Sequence, residues 1–599
     1  MLAGAGSGKT RVLTRRIAWR VAGGSATAAH VVALTFTRKA AGELRARLAS
    51  LGLPEPVRAG TFHALALGEL KRLAAERHAS QPVVAPSKVR LLSGVTAGWG
   101  PLATGRGRGG GTRPVGSRSR SRQAGSQLSE AVFPLVELAQ EIEWAKARCL
   151  RPVDYERAAA IAGRTTSWPA GLVSEAWEAY ELEKARRRVL DFEDLLSRCA
   201  AELEEDPHFA TSARYRMRHF FVDEYQDVNE AQLRLLRAWL GGGSDLCVVG
   251  DPDQAIYGWN GSDPGAIRRF GADFPDASIV RLRTNYRSTR EVLTVAGAVL
   301  GQDEPAPAGG PAPEGATPTV TEYATALDEA DGVAAALRLA KRPGRSWSQL
   351  AVLARTNAQL AGFEASLSKR QIPWRTAGTT SFLRRPHVEE ALRDAVRTRS
   401  GAELAAFAAD LRAGAGFPAP DLPEGGGRAL GEIGGDPAGT DLLELATLVD
   451  EYLSEDVGAS GAGFRSFVEA AVRSEEAGGT GDCVTLTTFH RAKGLEWPVV
   501  FVTGLEDGLV PISYARDPDA LAEERRLLYV ACTRAGEELH CSFARERTFA
   551  GSSRPSARAP SPWLRAIQAA ERDLRRLRGS PASAAREAIA LSRQLLSEQ

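Results

Sequence analysis

Apolar and polar residues alternate in blocks along this chain in the way typical of layered α/β proteins. Short apolar runs of strand type recur, namely VVALTF at 31–36, FFVDE at 220–224, LCVVGD at 246–251, IVRLR at 279–283, LAVLAR at 350–355, VTLTT at 484–488 and VVFVTG at 499–504. Segments with helical spacing separate these runs, such as RKAAGELRARLASL at 38–51. Because buried parallel strands read as continuous apolar runs joined by helices, the pattern predicts a parallel α/β fold.

Three longer stretches interrupt this alternation and divide the chain into domains. The first α/β domain is predicted to combine residues 1–70 with 205–280, and the second to combine 281–390 with 480–555. Residues 71–204 are predicted to form a mostly helical insertion in the first domain, and residues 391–479 a short helical insertion in the second. Residues 556–599 are predicted to form an arginine-rich helical tail.

One segment of the first insertion has low sequence complexity. Residues 104–122 read TGRGRGGGTRPVGSRSRSR, with several arginines and no acidic residue. This composition is typical of a flexible linker. It also suits a disordered arm that grips nucleic-acid phosphates without sequence preference.

Composition narrows the class of protein. A chain of 599 residues is expected to form two to four domains. The net charge is only +3, so any nucleic-acid surface must be a local patch. The six cysteines form no CxxC pair, which argues against a disulfide framework or a zinc site. No apolar run has membrane-spanning length, and the chain opens on a glycine turn rather than a signal peptide. A cytoplasmic protein without a membrane partner is predicted.

Two motifs suit phosphate chemistry. AGAGSGKT at 3–10 is a glycine-rich turn whose backbone N–H groups can cradle a polyphosphate, with Lys9 reaching the outer phosphates and the Thr10 hydroxyl on Mg²⁺. FFVDEYQD at 220–227 brings Asp223 and Glu224 to a strand end, where one carboxylate can hold the metal and the other can accept a proton from water. Together they predict nucleoside-triphosphate hydrolysis. The candidate nucleotide-binding residues of the turn are Ala3, Gly4, Ala5, Gly6, Ser7, Gly8, Lys9 and Thr10.

More motifs follow in a fixed order. They read LCVVGDPDQAIYGW at 246–259, LRTNYRST at 282–289, TTFHRAKGLEW at 487–497 and EERRLLYVACTR at 523–534. In order and content the chain resembles the UvrD/Rep/PcrA-type superfamily 1A DNA helicases over roughly residues 1–550. These later motifs argue against a P-loop kinase or GTPase.

The resemblance implies a fold and an activity. The fold would be two RecA-like P-loop motor domains, each with a helical insertion. The activity would be ATP- and Mg²⁺-dependent 3′–5′ translocation on single-stranded DNA, or unwinding at single-strand/duplex junctions, in repair, replication or recombination. It also implies a bacterial, nucleoid-associated protein, whose tail is a candidate docking segment for repair or replication proteins.

Site residues follow by motif match. Thr10 and Asp223 would hold Mg²⁺, and Glu224 would orient and deprotonate the attacking water. Asp227 is either part of this chemistry or a helix cap. Gln254, in the DPDQ loop, would sense the γ-phosphate and report nucleotide state to the DNA site.

Two arginines of the second domain are expected to complete the site. By resemblance, Arg287 in NYRS and Arg534 in ACTR approach the γ-phosphate as arginine fingers, which are worth roughly 10³–10⁵ in rate. Hydrolysis would thereby depend on domain closure. Tyr286 would stack on adenine and Glu496 would reach the ribose, although packing roles for both stay open.

A motor that walks on any sequence should stack bases and contact phosphates. By resemblance, the candidate DNA-binding residues are Phe36, Arg38, Thr61, His63, Tyr257, Trp259, Arg355, Asn357 and His490. Core packing is the alternative for the aromatic residues among them. The acids of DFEDLL at 191–196 are expected to cap or line a helix rather than catalyse.

The start of the chain departs from the family pattern. Only Met1 and Leu2 precede Ala3, so about five residues of a central strand and the adenine-reading segment before it are expected to be missing. We expect a phosphate turn anchored on one side only. The alternative function is therefore a DNA-binding or regulatory protein with an impaired motor. The short second insertion puts strong duplex unwinding in more doubt than translocation.

Overall fold

The computed structural model describes residues 1–85, 88–96, 135–243, 245–258, 261–302, 315–376, 386–414, 482–548 and 555–578, together with scattered residues between 442 and 468. Three predicted features lie outside the described residues: the low-complexity segment 104–122, Trp259, and residues 579–599 of the tail. The side chain of Arg38 lies outside them as well.

The secondary structure confirms an α/β protein with parallel sheets. The strands are β1 (Leu2–Ala3), β2 (Val31–Thr35), β3 (Arg58–Thr61), β4 (His219–Val222), β5 (Leu246–Val248), β6 (Arg281–Leu282), β7 (Thr319–Thr325), β8 (Leu350–Ala354), β9 (Trp374–Thr376), β10 (Val484–Thr488), β11 (Trp497–Val502), β12 (Ala535–Arg547) and β13 (Ser556–Ala557). The helices are α1 (Lys9–Ala22), α2 (Arg38–Ala49), α3 (Phe62–Glu76), α4 (Lys88–Thr96), α5 (Leu135–Ala147), α6 (Tyr155–Ile161), α7 (Ala170–Arg187), α8 (Phe192–Glu205), α9 (Pro207–Arg216), α10 (Glu230–Leu240), α11 (Ala266–Asp273), α12 (Arg290–Leu300), α13 (Ala326–Ala340), α14 (Asn357–Lys369), α15 (Pro386–Val396), α16 (Gly401–Gly414), α17 (Pro518–Cys532) and α18 (Leu564–Arg578).

The first domain is built on four parallel strands in the order β3-β2-β4-β5. Alternate residues of β2 face opposite layers, because successive side chains of a strand point to opposite faces. Val31 and Ala33 pack with α1 and α2, whereas Val32 and Leu34 pack with α3, α8 and α10. The sheet is therefore covered on both faces, as its continuous apolar runs predict.

The short strand β1 sits between two neighbours, which corrects the expectation of one-sided anchoring. Leu2 N donates to Val280 O at 2.8 Å, and β1 pairs in parallel with β6. On its other side Ala3 N donates to Gly250 O at 3.0 Å, just beyond β5. The phosphate turn therefore begins from a strand that is hydrogen-bonded on both sides. The pairing of β1 with β6 also reaches Leu282, two residues past the predicted boundary at 280.

The first insertion has its own helical core. Residues of α4, α5, α6 and α7, among them Leu92, Ile142 and Tyr180, pack there. Helix α8 belongs instead to the first domain, because Leu196 and Leu203 join its core with α3 and α10. The first domain thus resumes at α8, before the predicted boundary at residue 205.

The second domain contains a seven-stranded sheet. Its order is β13-β12-β11-β8-β10-β9, with β7 also paired to β12, and its pairings are parallel except β12 with β13. Helices α12, α17 and α18 cover one face and α13 and α14 the other.

The tail and the second insertion both pack against other parts of the chain. Leu564, Ile567 and Leu574 of α18 are buried in the core of the second domain. The described half of the tail is therefore an integral helix, not the separate segment that the sequence predicted. In the second insertion, α15 and α16 form a small core with residues between 445 and 468. Ala405 of α16 enters the core of the first insertion, so the two insertions touch.

Among the helices of the described ranges, none combines the length and the apolar character needed to cross a bilayer.

Candidate functional site

The phosphate turn lies where the two domains meet. Gly6 and Gly8 have φ angles of 69° and 79°, a left-handed conformation that favours glycine, and α1 begins immediately afterwards. Asn285 Nδ2 donates to Ala5 O at 2.6 Å and Tyr286 N donates to Gly6 O at 2.8 Å. The NYRS segment therefore closes directly over the turn.

Four predicted side chains come together at this turn. Thr10 Oγ1 donates to Asp223 Oδ2 at 2.8 Å, and Lys9 Nζ lies 3.8 Å from Glu224 Oε2. The Lys9 ammonium is buried and has no hydrogen-bond partner among the residues that the structure describes. A buried ammonium whose hydrogen-bond donors are unsatisfied fits an incoming phosphate, and the oxygens of Thr10 and Asp223 suit Mg²⁺. The residues present therefore fit a magnesium nucleotide.

The two carboxylates titrate differently. Burial and the neighbouring charge of Glu224 raise the pKa of Asp223 to about 6. Burial opposes ionisation of Glu224 as well, but the positive charges of Lys9 and Lys493 outweigh it and lower the pKa of Glu224. The arrangement keeps Glu224 ionised, as a proton acceptor must be.

Backbone conformation and a neighbouring amide position Glu224. Its φ of 52° is left-handed, a strained conformation for a residue other than glycine, and such strain clusters at functional sites. Gln226 Nε2 donates to Glu224 Oε2 at 2.6 Å, while Gln226 Oε1 accepts from Asp251 N at 2.9 Å. Sequence reasoning missed Gln226, whose only signal was its place in the DEYQD motif.

Asp227 bonds to the second domain rather than capping a helix. Lys493 Nζ donates to Asp227 Oδ1 and Oδ2 at 2.8 and 2.6 Å. The cap of α10 is Asn229, which accepts from Gln232 N at 2.9 Å. The capping alternative for Asp227 is therefore wrong, and Lys493 is a further residue that sequence reasoning left without a role.

The two arginines of the second domain reach the same place. Arg534 is only 1% exposed, and its Nε donates to Val530 O at 2.9 Å. Burial and the nearby charge of Arg287 lower its pKa to about 10, so it stays protonated at neutral pH. Arg287 forms an ion pair with Glu496. The structure thus brings the phosphate turn, the paired carboxylates and both arginines to one interdomain cleft.

Comparison with known proteins agrees with this geometry. The family model of the UvrD/REP helicase N-terminal domain matches residues 1–275, and that of the UvrD-like helicase C-terminal domain matches residues 280–393 and 440–546. The chain belongs to the UvrD/REP helicase family. The resemblance drawn from the motifs and the two-domain RecA-like fold class are thereby confirmed.

The chain of this UvrD-like helicase aligns with relatives over almost its full length. The ATP-dependent DNA helicase UvrD2 of Mycobacterium tuberculosis is 36% identical over 594 residues, which cover 95% of this chain and 79% of that protein. The ATP-dependent DNA helicase PcrA of Staphylococcus aureus is 28% identical over 655 residues, covering 95% of this chain and 84% of PcrA.

Tyr286 and Glu496, the predicted adenine and ribose contacts of this helicase, lie beside the turn. The Tyr286 side chain is 76% exposed, so its ring is accessible for stacking. Glu496 bonds to Arg287 in this structure. Both nucleotide contacts stay predictions.

Predicted DNA contacts of the first domain cluster near one aromatic stack. The ring of His63 stacks on Phe192 at 4.0 Å, and burial lowers the pKa of His63 to about 3, so the imidazole is neutral. Thr61 caps α3 by accepting from Ala64 N at 3.3 Å. Phe36 is partly buried, with its ring 6.0 Å from that of Phe62. Sequence reasoning missed Phe192, although it quoted the motif that contains it.

Capping by the DFEDLL acids is confirmed. Asp191 Oδ1 accepts from Asp194 N at 2.8 Å, and Asp194 Oδ2 accepts from Asp191 N at 2.9 Å. Lys146 and Lys184 form ion pairs with both acids, so this cluster is charge-compensated structure.

Two other predicted DNA contacts have structural partners that disfavour the prediction. The guanidinium of Arg355 donates to Glu524 at 3.1 and 2.7 Å in a buried ion pair. The ring of Tyr257 packs against the core of the second domain, with Lys493 Nζ 4.7 Å from its centroid.

The last two predicted DNA contacts lie in the second domain. Burial, together with the charges of Arg355 and Lys493, lowers the pKa of His490 to about 3. Asn357 is the first residue of α14. Their contacts with DNA stay predictions.

Proposed function

We propose that this helicase moves 3′ to 5′ along single-stranded DNA, using ATP hydrolysed with Mg²⁺ in the interdomain cleft. The chain is an ATP-dependent DNA helicase, as its family membership across both domains indicates. What we propose beyond this is the direction of movement on DNA, the use of Mg²⁺ and the role of each residue in the cleft. The observation that carries it is the convergence of Lys9, the Thr10–Asp223 pair, Glu224 and Arg534 at one cleft.

Each cleft residue has a distinct task in the proposed hydrolysis. Lys9 would bind the outer phosphates, and the oxygens of Thr10 and Asp223 would hold Mg²⁺, which supplies positive charge to the phosphates when bound. Glu224, kept ionised by the cations around it, accepts the proton of the attacking water.

Domain closure completes the site. Arg287 and Arg534 belong to the second domain, so their charge reaches the γ-phosphate fully only when the cleft shuts. The side-chain amide of Asn285 and the backbone N–H of Tyr286 both donate to carbonyl groups of the turn, so the turn is bonded to the second domain. Turnover is therefore coupled to a relative movement of the domains.

The placement of the predicted DNA contacts supports a track across both domains. Phe36 follows β2 and His63 lies just beyond β3, whereas Asn357 and His490 lie just beyond β8 and β10. Parallel strands present their carboxyl ends on one edge of a sheet, where α/β proteins bind ligands. A strand running along these edges would contact both domains, so their movement would act on it.

The alternative is a DNA-binding or regulatory protein with an impaired motor. We propose DNA repair, replication or recombination at the bacterial nucleoid as the setting. The C-terminal tail, residues 556–599, is the candidate docking segment for repair or replication proteins.

One set of assays separates these functions. Steady-state ATP hydrolysis is measured with no nucleic acid, with single-stranded DNA and with blunt duplex; the motor predicts strong stimulation by the single strand only. Displacement of streptavidin from oligonucleotides biotinylated at either end then reports direction, and 3′–5′ movement displaces it from the 5′ end. Lys9→Ala is the ATP-binding control.

The outcomes are distinct. An ATPase that ignores single-stranded DNA while the protein still binds it supports the regulatory alternative. Displacement only from the 3′ end contradicts the proposed direction. Tailed duplexes with 3′ or 5′ single strands show whether junctions are preferred and whether duplex is unwound.

A further inference from the structure

We infer that two cations of the second domain, Lys493 and Arg526, position Gln254 by holding the main chain on which it stands. The inference rests on the proposed motor function. It assigns to both residues the role of connecting the second domain to a loop of the first. Movement of the second domain would then act directly on the side chain that senses the γ-phosphate.

The first observation is a pair of hydrogen bonds to consecutive carbonyl groups. Lys493 Nζ donates to Gln254 O at 2.8 Å, and Arg526 Nε donates to Ala255 O at 2.7 Å. Both donors come from the second domain, and both acceptors lie in a loop that follows strand β5 of the first. Bonds from charged donors are stronger than neutral ones, so these are firm points of attachment.

The second observation is the burial of the next residue. Ile256 has 0% exposure and belongs to the core cluster of the second domain, with Val292 and Phe489. Three consecutive residues, 254 to 256, are therefore held by the second domain although they precede its first strand in the sequence. A rigid-body shift of that domain must carry this segment with it.

The side chain of Gln254, in contrast to its backbone, bonds to the first domain. Its Nε2 donates to Asp251 Oδ2 at 2.6 Å, and Asp251 stands directly after Gly250, which bonds to β1 beside the phosphate turn. Gln254 thus has its backbone on one domain and its amide on the other. Because N–H···O hydrogen bonds keep donor–acceptor distances of about 2.7–3.2 Å and weaken steeply when the angle falls below about 120°, a small displacement between the domains is enough to release the amide from Asp251.

Helix α17 links this loop to the arginine finger. Arg526 lies in the middle of α17, and Arg534 follows two residues after the helix ends. Near its start, the Glu523 carboxylate lies against Gly258 and leaves no room for a Cβ there, so the loop and the helix are in close contact. One helix therefore moves the Gln254 loop and the Arg534 segment together, which would synchronise phosphate sensing with arginine insertion.

The chain provides a matched control for the test. Arg525 is the neighbour of Arg526 on α17, and its Nε donates to Val299 O inside the second domain. Arg525→Ala removes the same side chain and a bond to a carbonyl group, but no bond between the domains. Arg526→Lys keeps a positive donor and should recover part of the function.

The experiment compares the kinetics of Arg526→Ala, Arg525→Ala, Arg526→Lys and wild type in the presence of single-stranded DNA. Arg526→Ala should lower the DNA-stimulated kcat about tenfold, the scale of one charge-assisted hydrogen bond. Its KM for ATP should change less than about twofold, because phosphate-binding groups are untouched. Equal kcat values for Arg526→Ala and Arg525→Ala would overturn the inference.

A second measurement does not depend on activity. Hydrogen–deuterium exchange of the peptide covering residues 252–258 should accelerate in Arg526→Ala but not in Arg525→Ala. If wild type shows no stimulation by DNA, the proposed function fails, and exchange still decides whether Arg526 holds the loop. Unchanged exchange in Arg526→Ala would overturn the inference even if the motor is active.

Discussion

Replacing Arg355 with alanine should destabilise the second domain more than it weakens DNA binding. Arg355 and Glu524 are each 9% exposed, and two hydrogen bonds of 3.1 and 2.7 Å join them. Glu524 Oε2 also accepts from Ile512 N at 3.1 Å, so the carboxylate fixes the loop before α17. The substitution leaves this carboxylate buried with no cation.

The size of the effect follows from burial. Removing one partner of a buried ion pair costs about 3–5 kcal/mol. For a domain of roughly 200 residues each kcal/mol lowers the unfolding midpoint by about 2–4 °C, so a decrease of about 6–20 °C is expected. Thermal unfolding followed by circular dichroism measures it. Pairing Arg355→Met with Glu524→Gln should recover most of the loss, because no unpaired charge then stays buried.

DNA binding is measured separately, at a temperature where both proteins are folded. Fluorescence anisotropy with a labelled single strand gives the affinity at several salt concentrations. A direct phosphate contact would reduce the salt slope by about 1 when it is removed, whereas a structural ion pair would leave the slope unchanged. A midpoint equal to that of wild type, together with a reduced slope, would refute the structural role of Arg355.

Three further predictions concern the cleft. Because burial and Glu224 raise the pKa of Asp223 to about 6, protons compete with Mg²⁺ at that carboxylate, and Mg²⁺ affinity by calorimetry should increase as pH rises through 6; a flat profile would contradict this. Asp227→Asn and Lys493→Met should each destabilise the protein to urea, and the double variant should lose less than their sum by about 0.5–3 kcal/mol; additivity would show that the pair is not coupled. Arg534→Lys keeps the charge but loses the planar donors to Val530 and Leu495, so single-turnover hydrolysis should slow by about 10³-fold while nucleotide binding persists; a rate near wild type would rule out a finger role.

Much of the fold could be predicted from sequence because its strands are buried on both faces. Strands such as β2, β4, β8 and β11 coincide with continuous apolar runs, whose pattern needs no tertiary context. Helices were harder to assign to a domain. The apolar face of α8 predicts that this face is buried, but not against which domain. Only the structure shows that Leu196 packs in the core of the first domain rather than in the insertion.

The candidate site, like the fold, could be predicted from the sequence only in part. The motifs singled out Lys9, Thr10 and Asp223, and in the structure Thr10 Oγ1 donates to Asp223 Oδ2 at 2.8 Å. Hydrogen bonds between the two domains could not be predicted from motifs, because partners such as Lys493 and Asp227 are 266 residues apart in sequence. Arg355 shows the same limit: the resemblance assigned it to the DNA contacts but could not show that Glu524 binds its guanidinium.

Helix α18 bears on how shortened versions of this protein should be made. Three large apolar side chains of this helix are buried against the second domain, worth roughly 1.5–3 kcal/mol each. An expression boundary placed before residue 564 would uncover the matching surface on α12, the helix that directly follows the Arg287 segment, and would invite aggregation. A boundary after residue 578 keeps that hydrophobic cover, and an affinity tag attached there lies beyond the packed helix.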